Sequence, residues 1–332
     1  MPPVLPRCYL YCCLLCVRLL LLVFTGVCSW HTSGENDTDI GVRNPPVQAT
    51  VDNFGIKILR YEENSGSISL SADLVSCENL HGVGSFDTTC LLNSNVYLNS
   101  SIYALGTGNL EILPHVSIAC PIQGCSISFN LSGNVKVGSD ATIFAGSVVI
   151  AAHSLSVGHN SSINTTSLGG NPPAQTSGTP VGFEGAGGGH GGRGASCLKN
   201  EQQDVWGGDV YSWSNLSEPW SYGSKGSGNS VQNPFGGNGG GRVKLIVEEE
   251  LYLNGSVTAE GGDGGTSGGG GSGGSIIVNA YKLKGLGTIS AAGGRGWAGG
   301  GGGRISLKCY SIQDVKVTVH GSYFLQLLLP RN

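Results

Sequence analysis

Charged residues and methionine are both scarce in this 332-residue chain. Asp, Glu, Lys and Arg together make up 12% of the residues, and there is one methionine. A chain so poor in charge has few polar faces for long amphipathic helices. The formal net charge of −4 also provides no basic surface for nucleic acid. These shortages disfavour a helical protein and a nucleic-acid-binding protein.

Motifs for cofactor, metal and nucleophile chemistry are missing too. The seven histidines are scattered, and none pairs at the spacing of metal ligands. No Gly-x-Ser-x-Gly lies between a strand and a helix, and no glycine run ends in Gly-Lys-Ser/Thr. Glycine runs that match a dinucleotide motif are followed by strands rather than helices. We therefore predict no cofactor and no metal site.

Glycine is the abundant residue, with 57 copies in the chain, far above the usual ~7%. Its runs, such as "GGDGGTSGGGGSGG" at 261–274, recur between strand-like segments. A flexible linker joins two different domains and would not recur in this way. Two interpretations remain open: tight turns between stacked coils, which need a residue without Cβ, and extended threefold helices bonded to their neighbours.

Apolar residues alternate with polar ones from Ile68 onward, as in "SISLSADL", whose alternate residues from Ile68 to Leu74 are expected to share one face. Towards the C-terminus, units of glycine run, strand, polar step and strand begin at Arg242, Ser275 and Arg304. The starts are 33 and 29 residues apart. We predict an all-β fold, a parallel β-solenoid with Gly-rich turns or polyglycine segments.

Composition divides the chain into six parts. We assign a signal peptide, a polar lead-in, short-strand β coils, a Gly/Trp-rich insertion, Gly-rich β repeats and an atypical tail. Their ranges are 1–29, 30–65, 66–180, 181–240, 241–321 and 322–332.

The first thirty residues have a basic start, an apolar stretch and small residues near position 29, as in a cleaved secretory signal; a retained signal anchor is the alternative. Six of the eleven cysteines follow it, and the oxidising compartment predicts disulfides. By proximity, Cys120 pairs with Cys125 across a turn and Cys77 with Cys90, which leaves Cys197 with Cys309.

Seven Asn-x-Ser/Thr sequons agree with a secretory leader. They are Asn36, Asn99, Asn130, Asn160, Asn164, Asn215 and Asn254. Five of them, all except Asn36 and Asn215, are expected at polar strand edges or turns, where a glycan would hinder pairing between strand edges. We predict a glycoprotein of the secretory pathway, located outside the cell, at the cell surface or in a vacuole.

One possible chemistry is that of β-solenoid enzymes that cut polygalacturonate. The chain has "GHG" around His190 and "RVK" from Arg242, as such enzymes do. Cleavage of a glycosidic bond by hydrolysis needs two flanking carboxylates. Asp204, Asp209 and Glu218 share one loop, with nothing to place two of them across a cleft. We predict that His190 is a loop residue in a glycine tract, that Arg242 begins a strand, and that the chain has no catalytic residue.

A second possibility is glycan binding by the loop 197–235, in which Trp206, Trp213 and Trp220 are spaced by seven. Aromatic faces can stack on sugar rings. The alternative is that these rings fold inward onto the solenoid and bury apolar area.

The segments "GFEGAGGGHGGRGASC", "GGNGGGRVKLIV" and "GGRGWAGGGGGRISL" resemble a family of large plant glycine-rich secretory or membrane proteins. The resemblance covers about residues 45–320 and implies Gly-rich β repeats followed by membrane spans in longer forms. It implies no activity. The tail "YFLQLLLPRN" departs from the pattern, which predicts a further glycine run there.

These observations predict a non-enzymatic secreted or membrane-associated glycoprotein with a structural or cell-wall role. Expected partners are cell-wall polysaccharide or other surface proteins, and a membrane only through spans in a longer form. The alternatives are a glycan-binding module and a polysaccharide-active enzyme.

Overall fold

The fold is built from short strands and extended glycine-rich segments. A computed structural model describes residues 72–180, 182, 185–200, 203–212, 214–228, 235–265 and 267–322. They belong to one of two compact units of the chain; the other, Tyr9–Ser69, lies outside the described residues. The expected leader, the lead-in and all but the first residue of the tail also lie outside them.

The described residues contain one 3₁₀ helix, Glu78–Leu80, and no α-helix. The first fifteen strands have two to six residues each. They are β1 (Asp73–Leu74), β2 (Val83–Gly84), β3 (Thr89–Leu92), β4 (Val96–Tyr97), β5 (Ile102–Gly106), β6 (Asn109–Ile112), β7 (Ser117–Ala119), β8 (Ser126–Leu131), β9 (Val135–Val137), β10 (Thr142–Phe144), β11 (Ser147–Ala152), β12 (Leu155–Val157), β13 (Ser162–Asn164), β14 (Cys197–Asn200) and β15 (Gln203–Val205). The later strands are β16 (Arg242–Leu253), β17 (Ser256–Thr258), β18 (Ser275–Lys284), β19 (Thr288–Ser290), β20 (Arg304–Gln313) and β21 (Lys316–Thr318).

Most strands pair in parallel with strands from the preceding and following units. One row runs β1-β5-β8-β11, and a second runs β3-β6-β9-β12. Both rows meet at β16, whose first half pairs with β11 and whose second half pairs with β12. β18 and β20 continue this sheet. A separate sheet has the order β21-β19-β17-β13-β10-β7-β4, and β14 and β15 form a small antiparallel pair.

The predicted repeat units are in register. Arg242 lies opposite Ser275, which lies opposite Arg304. The spacing near 30 is therefore the chain length between adjacent strands of one sheet, and the all-β prediction is confirmed. The repeat also continues across the insertion, because Asn164 in β13 pairs with Thr258 in β17.

Aligned apolar residues form the core. Ile102, Ile127, Val148, Val243 and Ile276 follow one another across five strands, and each is 0–2% exposed. Burying one such side chain contributes roughly 1.5–3 kcal/mol. Since alternate residues of a strand point to opposite faces, the period-two pattern supplies this core directly.

The face predicted for the first strand is exposed where the structure describes it. Of the face assigned to Ile68–Leu74, the described residues Ala72 and Leu74 are exposed, Leu74 at 72%. Val75 packs against the core instead. β1 is a two-residue strand that, among the described strands, pairs with β5 alone.

The glycine runs form a bundle of extended segments. Successive backbone N–H groups of 269–274 donate to three neighbouring segments in turn. The acceptors are Ser227, Ala298, Gly262, Ser224, Gly301 and Ala259. The carbonyl groups of the same run accept hydrogen bonds from three other segments. The donors are the N–H groups of Gly237, Gly188 and Gly294. Bonding that repeats every third residue is the pattern of a helix with three residues per turn. Of the two interpretations, threefold helices therefore describe this run.

Close approach of backbones explains the glycine requirement in this bundle. A Cβ on Gly271 would overlap the carbonyl oxygen of Asn238, and one on Gly270 would overlap that of Gly294. Since the obstructing atoms belong to backbone that is itself hydrogen-bonded, they have little room to move. Serine occurs where a Cβ fits, as at fully buried Ser272.

Candidate functional site

The Trp-rich insertion packs against the outer face of β20. Arg304 Nη1 donates to the carbonyl of Ser214 at 3.3 Å, and Ser306 Oγ donates to that of Ser217 at 2.8 Å. Lys308 Nζ lies 2.9 Å from the Glu218 carboxylate. These contacts place Ser214–Glu218 on the sheet.

Arg242 lies between two aromatic rings of the same insertion. Its guanidinium carbon is 4.5 Å from the Trp220 ring centroid and 4.4 Å from that of Tyr222. Its Nη1 donates to the Trp220 carbonyl at 3.2 Å, and its Nε donates to Ser147 Oγ at 3.3 Å. A cation over an aromatic face is attracted by the ring quadrupole. One face of Trp220 is thus engaged by protein, and Arg242 has structural contacts.

The three predicted glycan-contact tryptophans are in different environments. Trp220 is half-buried, whereas Trp206 is 65% exposed. Trp213 lies outside the described residues. Of these three, Trp206 is therefore the most exposed tryptophan that the structure describes.

His190 of the "GHG" motif is fully buried in the glycine bundle. Its Nδ1 lies 2.7 Å from the carbonyl oxygen of Gly273, so Nδ1 carries the proton. Here the imidazole, instead of a backbone N–H group, donates to the glycine run 269–274, the central run of the bundle. Its ring centroid is 4.4 Å from that of Tyr211. Burial lowers the pKa of His190 to about 4, and the hydrogen bond to Gly273 opposes this shift.

A buried polar cluster surrounds this histidine. The Tyr211 hydroxyl lies 2.6 Å from Ser224 Oγ, and Ser224 N donates to Ser272 Oγ at 2.8 Å. Arg304 Nη2 donates to the Tyr211 carbonyl at 2.6 Å. Burial raises the pKa of Tyr211 to about 12. Sequence reasoning missed this cluster, although serines interrupting glycine runs were a usable signal.

The candidate carboxylates are engaged in separate ion pairs. Asp209 contacts Arg193 Nη2 at 2.5 Å and accepts from Ser177 Oγ at 2.9 Å. The Glu218 carboxyl has a lowered pKa because Lys308 hydrogen-bonds to it. The side chain of Asp204 lies outside the described positions. Asp209 and Glu218 are therefore each paired with a different basic residue, Arg193 and Lys308.

A groove of about 640 Å³ on the sheet surface was not predicted from the sequence. His153 lies on its wall, with Nδ1 3.1 Å from Glu248 and Nε2 3.3 Å from Glu249. A register shift between Val247 and Glu250 places these acids side by side. All three side chains are about half exposed or more, and such pairs contribute ~0–1 kcal/mol. The groove is a charged surface with no enclosed site.

The predicted sequons differ in accessibility. Asn99, Asn130, Asn160 and Asn215 are exposed, while Asn164 and Asn254 are half-buried. The Asn164 Oδ1 accepts from Thr166 N at 2.9 Å and Thr258 Oγ1 at 3.0 Å, inside the smaller main sheet. Asn36 lies outside the described residues. Asn164 is therefore the described sequon least suited to carry a glycan.

The two expected local disulfides are present, Cys77–Cys90 and Cys120–Cys125. The third expected pair is not formed, since Cys309 has a free, half-buried thiol. Its position on the inward side of β20 faces the core, and burial raises its pKa. Two disulfides point to an oxidising compartment.

Among the residues that the structure describes, no group of three or more His, Cys, Asp or Glu side chains could hold a metal ion. Nor does that part of the chain contain a helix long and apolar enough to span a bilayer. Comparison with protein families, curated proteins and solved structures finds no match to this chain.

Proposed function

We propose that this chain is a non-enzymatic structural glycoprotein of the secretory pathway, built as a parallel β-solenoid joined to a polyglycine bundle. Its place would be the cell surface, the cell wall or a vacuole, and its partners cell-wall polysaccharide or other surface proteins. The observation that carries the proposal is the bundle, in which the glycine runs and His190 serve as mutual hydrogen-bonding partners.

Register supports the solenoid. Each of β16, β18 and β20 is followed by a turn and a short strand of the second sheet, β17, β19 and β21. Each unit pairs in parallel with the next in both sheets. A chain that returns to the same two sheets once per unit is winding in successive coils.

Engaged side chains support a non-enzymatic role. A general acid or base must reach the proton that it transfers, but His190 is fully buried. Arg242 is held between Trp220 and Tyr222, and Asp209 is held by Arg193. These are the described residues on which an enzyme of the polygalacturonate-cutting type would be built.

A cross-linking experiment tests the coil arrangement. Tyr281 and Tyr310 lie on adjacent strands with ring centroids 5.0 Å apart and rings nearly parallel. Tyr281→Cys with Tyr310→Cys should form an intramolecular disulfide under mild oxidation. Tyr252→Cys with Gln313→Cys, which are in register but separated by β18, is the matched control. Equal cross-linking of both pairs, or of neither, would contradict successive coils.

An activity assay tests the non-enzymatic role. Purified glycoprotein from a plant or insect host should show no turnover of pectic polysaccharides. Turnover that disappears in an Asp204→Asn, Asp209→Asn double variant would replace the structural role with the enzyme.

Glycan binding is the second candidate, favoured by the 65% exposure of Trp206. A glycan array compares the wild-type protein with Trp206→Ala and with Leu216→Ala, an exposed apolar control at 74%. Binding that is lost in Trp206→Ala and kept in Leu216→Ala would establish the glycan-binding module. Absence of binding by all three would remove it.

A further inference from the structure

Two tyrosines on adjacent strands stack on each other in the largest sheet. Tyr281 on β18 and Tyr310 on β20 have ring centroids 5.0 Å apart, with 8° between the ring planes. The residues just before them, Ala280 and Cys309, lie opposite each other in register, so the tyrosines are neighbours across the same parallel pair. The two strands therefore hold the phenol rings side by side.

Both rings are open to small molecules in solution. Tyr281 is 49% exposed and Tyr310 is 80% exposed, whereas Ala280 is 7% exposed and belongs to the core. Since successive residues of a strand point to opposite faces, the tyrosine pair lies on the outer face of the sheet. A small oxidant can therefore reach both phenols.

The stacking brings reactive carbon atoms together. Nearly parallel rings at this centroid distance have the offset arrangement that aromatic pairs favour. Facing ring carbons in such a pair approach to ~3.5–4.0 Å, the distance of atoms in contact. Radicals formed on these two rings would meet without diffusion of a second molecule, because each ring is held at a high effective concentration beside the other.

In the described part of the chain, two other exposed tyrosines are placed differently. Tyr97 is 78% exposed on β4, the end strand of the smaller main sheet. Tyr252 is 43% exposed on β16, where it lies opposite Lys284 and its hydroxyl accepts from Asn254 Nδ2 at 3.2 Å. Exposure is therefore shared by several tyrosines, and the ring contact is what distinguishes Tyr281 and Tyr310.

We propose that Tyr281 and Tyr310 form a modification site, at which a peroxidase and hydrogen peroxide couple the two phenol rings into an intramolecular dityrosine. The inference depends on the contact between the two rings and not on the structural role proposed above. The resulting bond would join β20 covalently to β18, with which alone it pairs among the described strands.

The reaction balances with one molecule of peroxide. Each phenol gives up one electron and one proton, which leaves two phenoxyl radicals. These radicals join through a ring carbon next to each oxygen, so that one C–C bond forms. Each joined carbon then loses its hydrogen as a proton, the C–H bond breaks, and the oxygen of the same ring takes up a proton to restore the phenol. Hydrogen peroxide accepts the two electrons and two protons and is reduced to two water molecules.

Oxidation of the dilute, purified glycoprotein with a peroxidase and limiting hydrogen peroxide tests the proposal. We expect dityrosine fluorescence in monomeric protein, a mass lower by two hydrogen atoms, and linked peptides that contain Tyr281 and Tyr310. Tyr310→Phe keeps the ring but removes the phenol oxygen, so the dityrosine signal of the monomer should fall at least ~10-fold. Tyr97→Phe is the matched control, since it removes another exposed phenol, and it should keep the signal.

A dityrosine yield that rises with protein concentration, or an equal loss of signal in Tyr310→Phe and Tyr97→Phe, would overturn the proposal. Tyr281→Phe repeats the comparison from the other ring if Tyr310→Phe does not fold. The outcome is separable from the test of successive coils. A disulfide in the Tyr281→Cys, Tyr310→Cys variant, together with no dityrosine in the oxidised wild type, would refute this inference and leave the coil arrangement supported.

Discussion

Replacing Gly271 by alanine should destabilise the protein strongly, although both residues are small and uncharged. Gly271 lies in the central run of the bundle, where its N–H donates to Gly262 at 2.9 Å and its carbonyl accepts from Gly294 at 2.8 Å. The added Cβ would overlap the carbonyl group of Asn238. The central run must move away, which strains both hydrogen bonds.

The magnitude follows from these contacts. Overpacking of a close-packed interior costs ~1–3 kcal/mol, and each weakened hydrogen bond removes ~0.5–1.5 kcal/mol. The free energy of unfolding should therefore fall by about 2–6 kcal/mol. In a unit of this size, 1 kcal/mol corresponds to ~2–4 °C in the melting temperature. Thermal or urea unfolding followed by circular dichroism measures the change.

Gly192→Ala is the matched control in the same bundle. The nearest heavy atom to its added Cβ is Gly302 N at 3.4 Å, an ordinary contact. Alanine also reduces the conformational freedom of the unfolded chain, worth ~0.4–1 kcal/mol. This variant should match or slightly exceed the wild type in stability. If Gly271→Ala and Gly192→Ala unfold within ~0.5 kcal/mol of each other, close backbone packing is not what requires glycine at position 271.

Three further predictions concern single contacts. The pKa of His190 is about 4 in the folded chain, against an ordinary value of 6.5, so the unfolded state binds more protons between these values and stability should fall as pH drops from 6.5 towards 4. Urea unfolding across this range should show the loss, and His190→Gln, if folded, should lack this component; an unchanged pH dependence would contradict a buried neutral imidazole. Replacing both cysteines of Cys77–Cys90 by serine should cost ~3 kcal/mol and both of Cys120–Cys125 ~2 kcal/mol, because the first closes the longer loop. The reverse order in matched thermal melts would argue against a loop-entropy origin. Trp220→Ala should cost ~1–2 kcal/mol through the lost contact with Arg242, whereas exposed Trp206→Ala should change stability by less than ~0.5 kcal/mol in the same melts; equal effects would contradict the packing of the insertion on the sheet.

Local patterns identify the strands and the repeat. Alternation of apolar and polar residues is a property of neighbours in the chain, and a strand with one buried face must show it. Arg242, Ser275 and Arg304 could be aligned beforehand because each follows a glycine run and begins an apolar strand. Alternation alone does not reveal how much of a strand is covered: it placed Ala72 and Leu74 on one face, and both residues are exposed.

The candidate site was less predictable, since its contacts join distant residues. His190 bonds to Gly273 across 83 positions, and Arg304 bonds to Tyr211 across 93. The "GHG" motif was predicted to lie in a loop within a glycine tract, and the motif alone does not show that His190 is buried. Its burial depends on neighbouring runs that supply carbonyl oxygens around the ring, and no feature within three residues of it reports their presence.

The sequence by itself determined that the chain forms strands, that its C-terminal units repeat every 29–33 residues, and that two cysteine pairs lie within reach of each other. Which glycine segments are neighbours was decided by the tertiary structure alone. A glycine run has no side chains to distinguish one partner from another, and its backbone can take turns or extended helices. The strands set the choice: once β16, β18 and β20 align in one sheet, the runs that connect to them are held side by side. There their N–H and C=O groups satisfy one another, as buried backbone must.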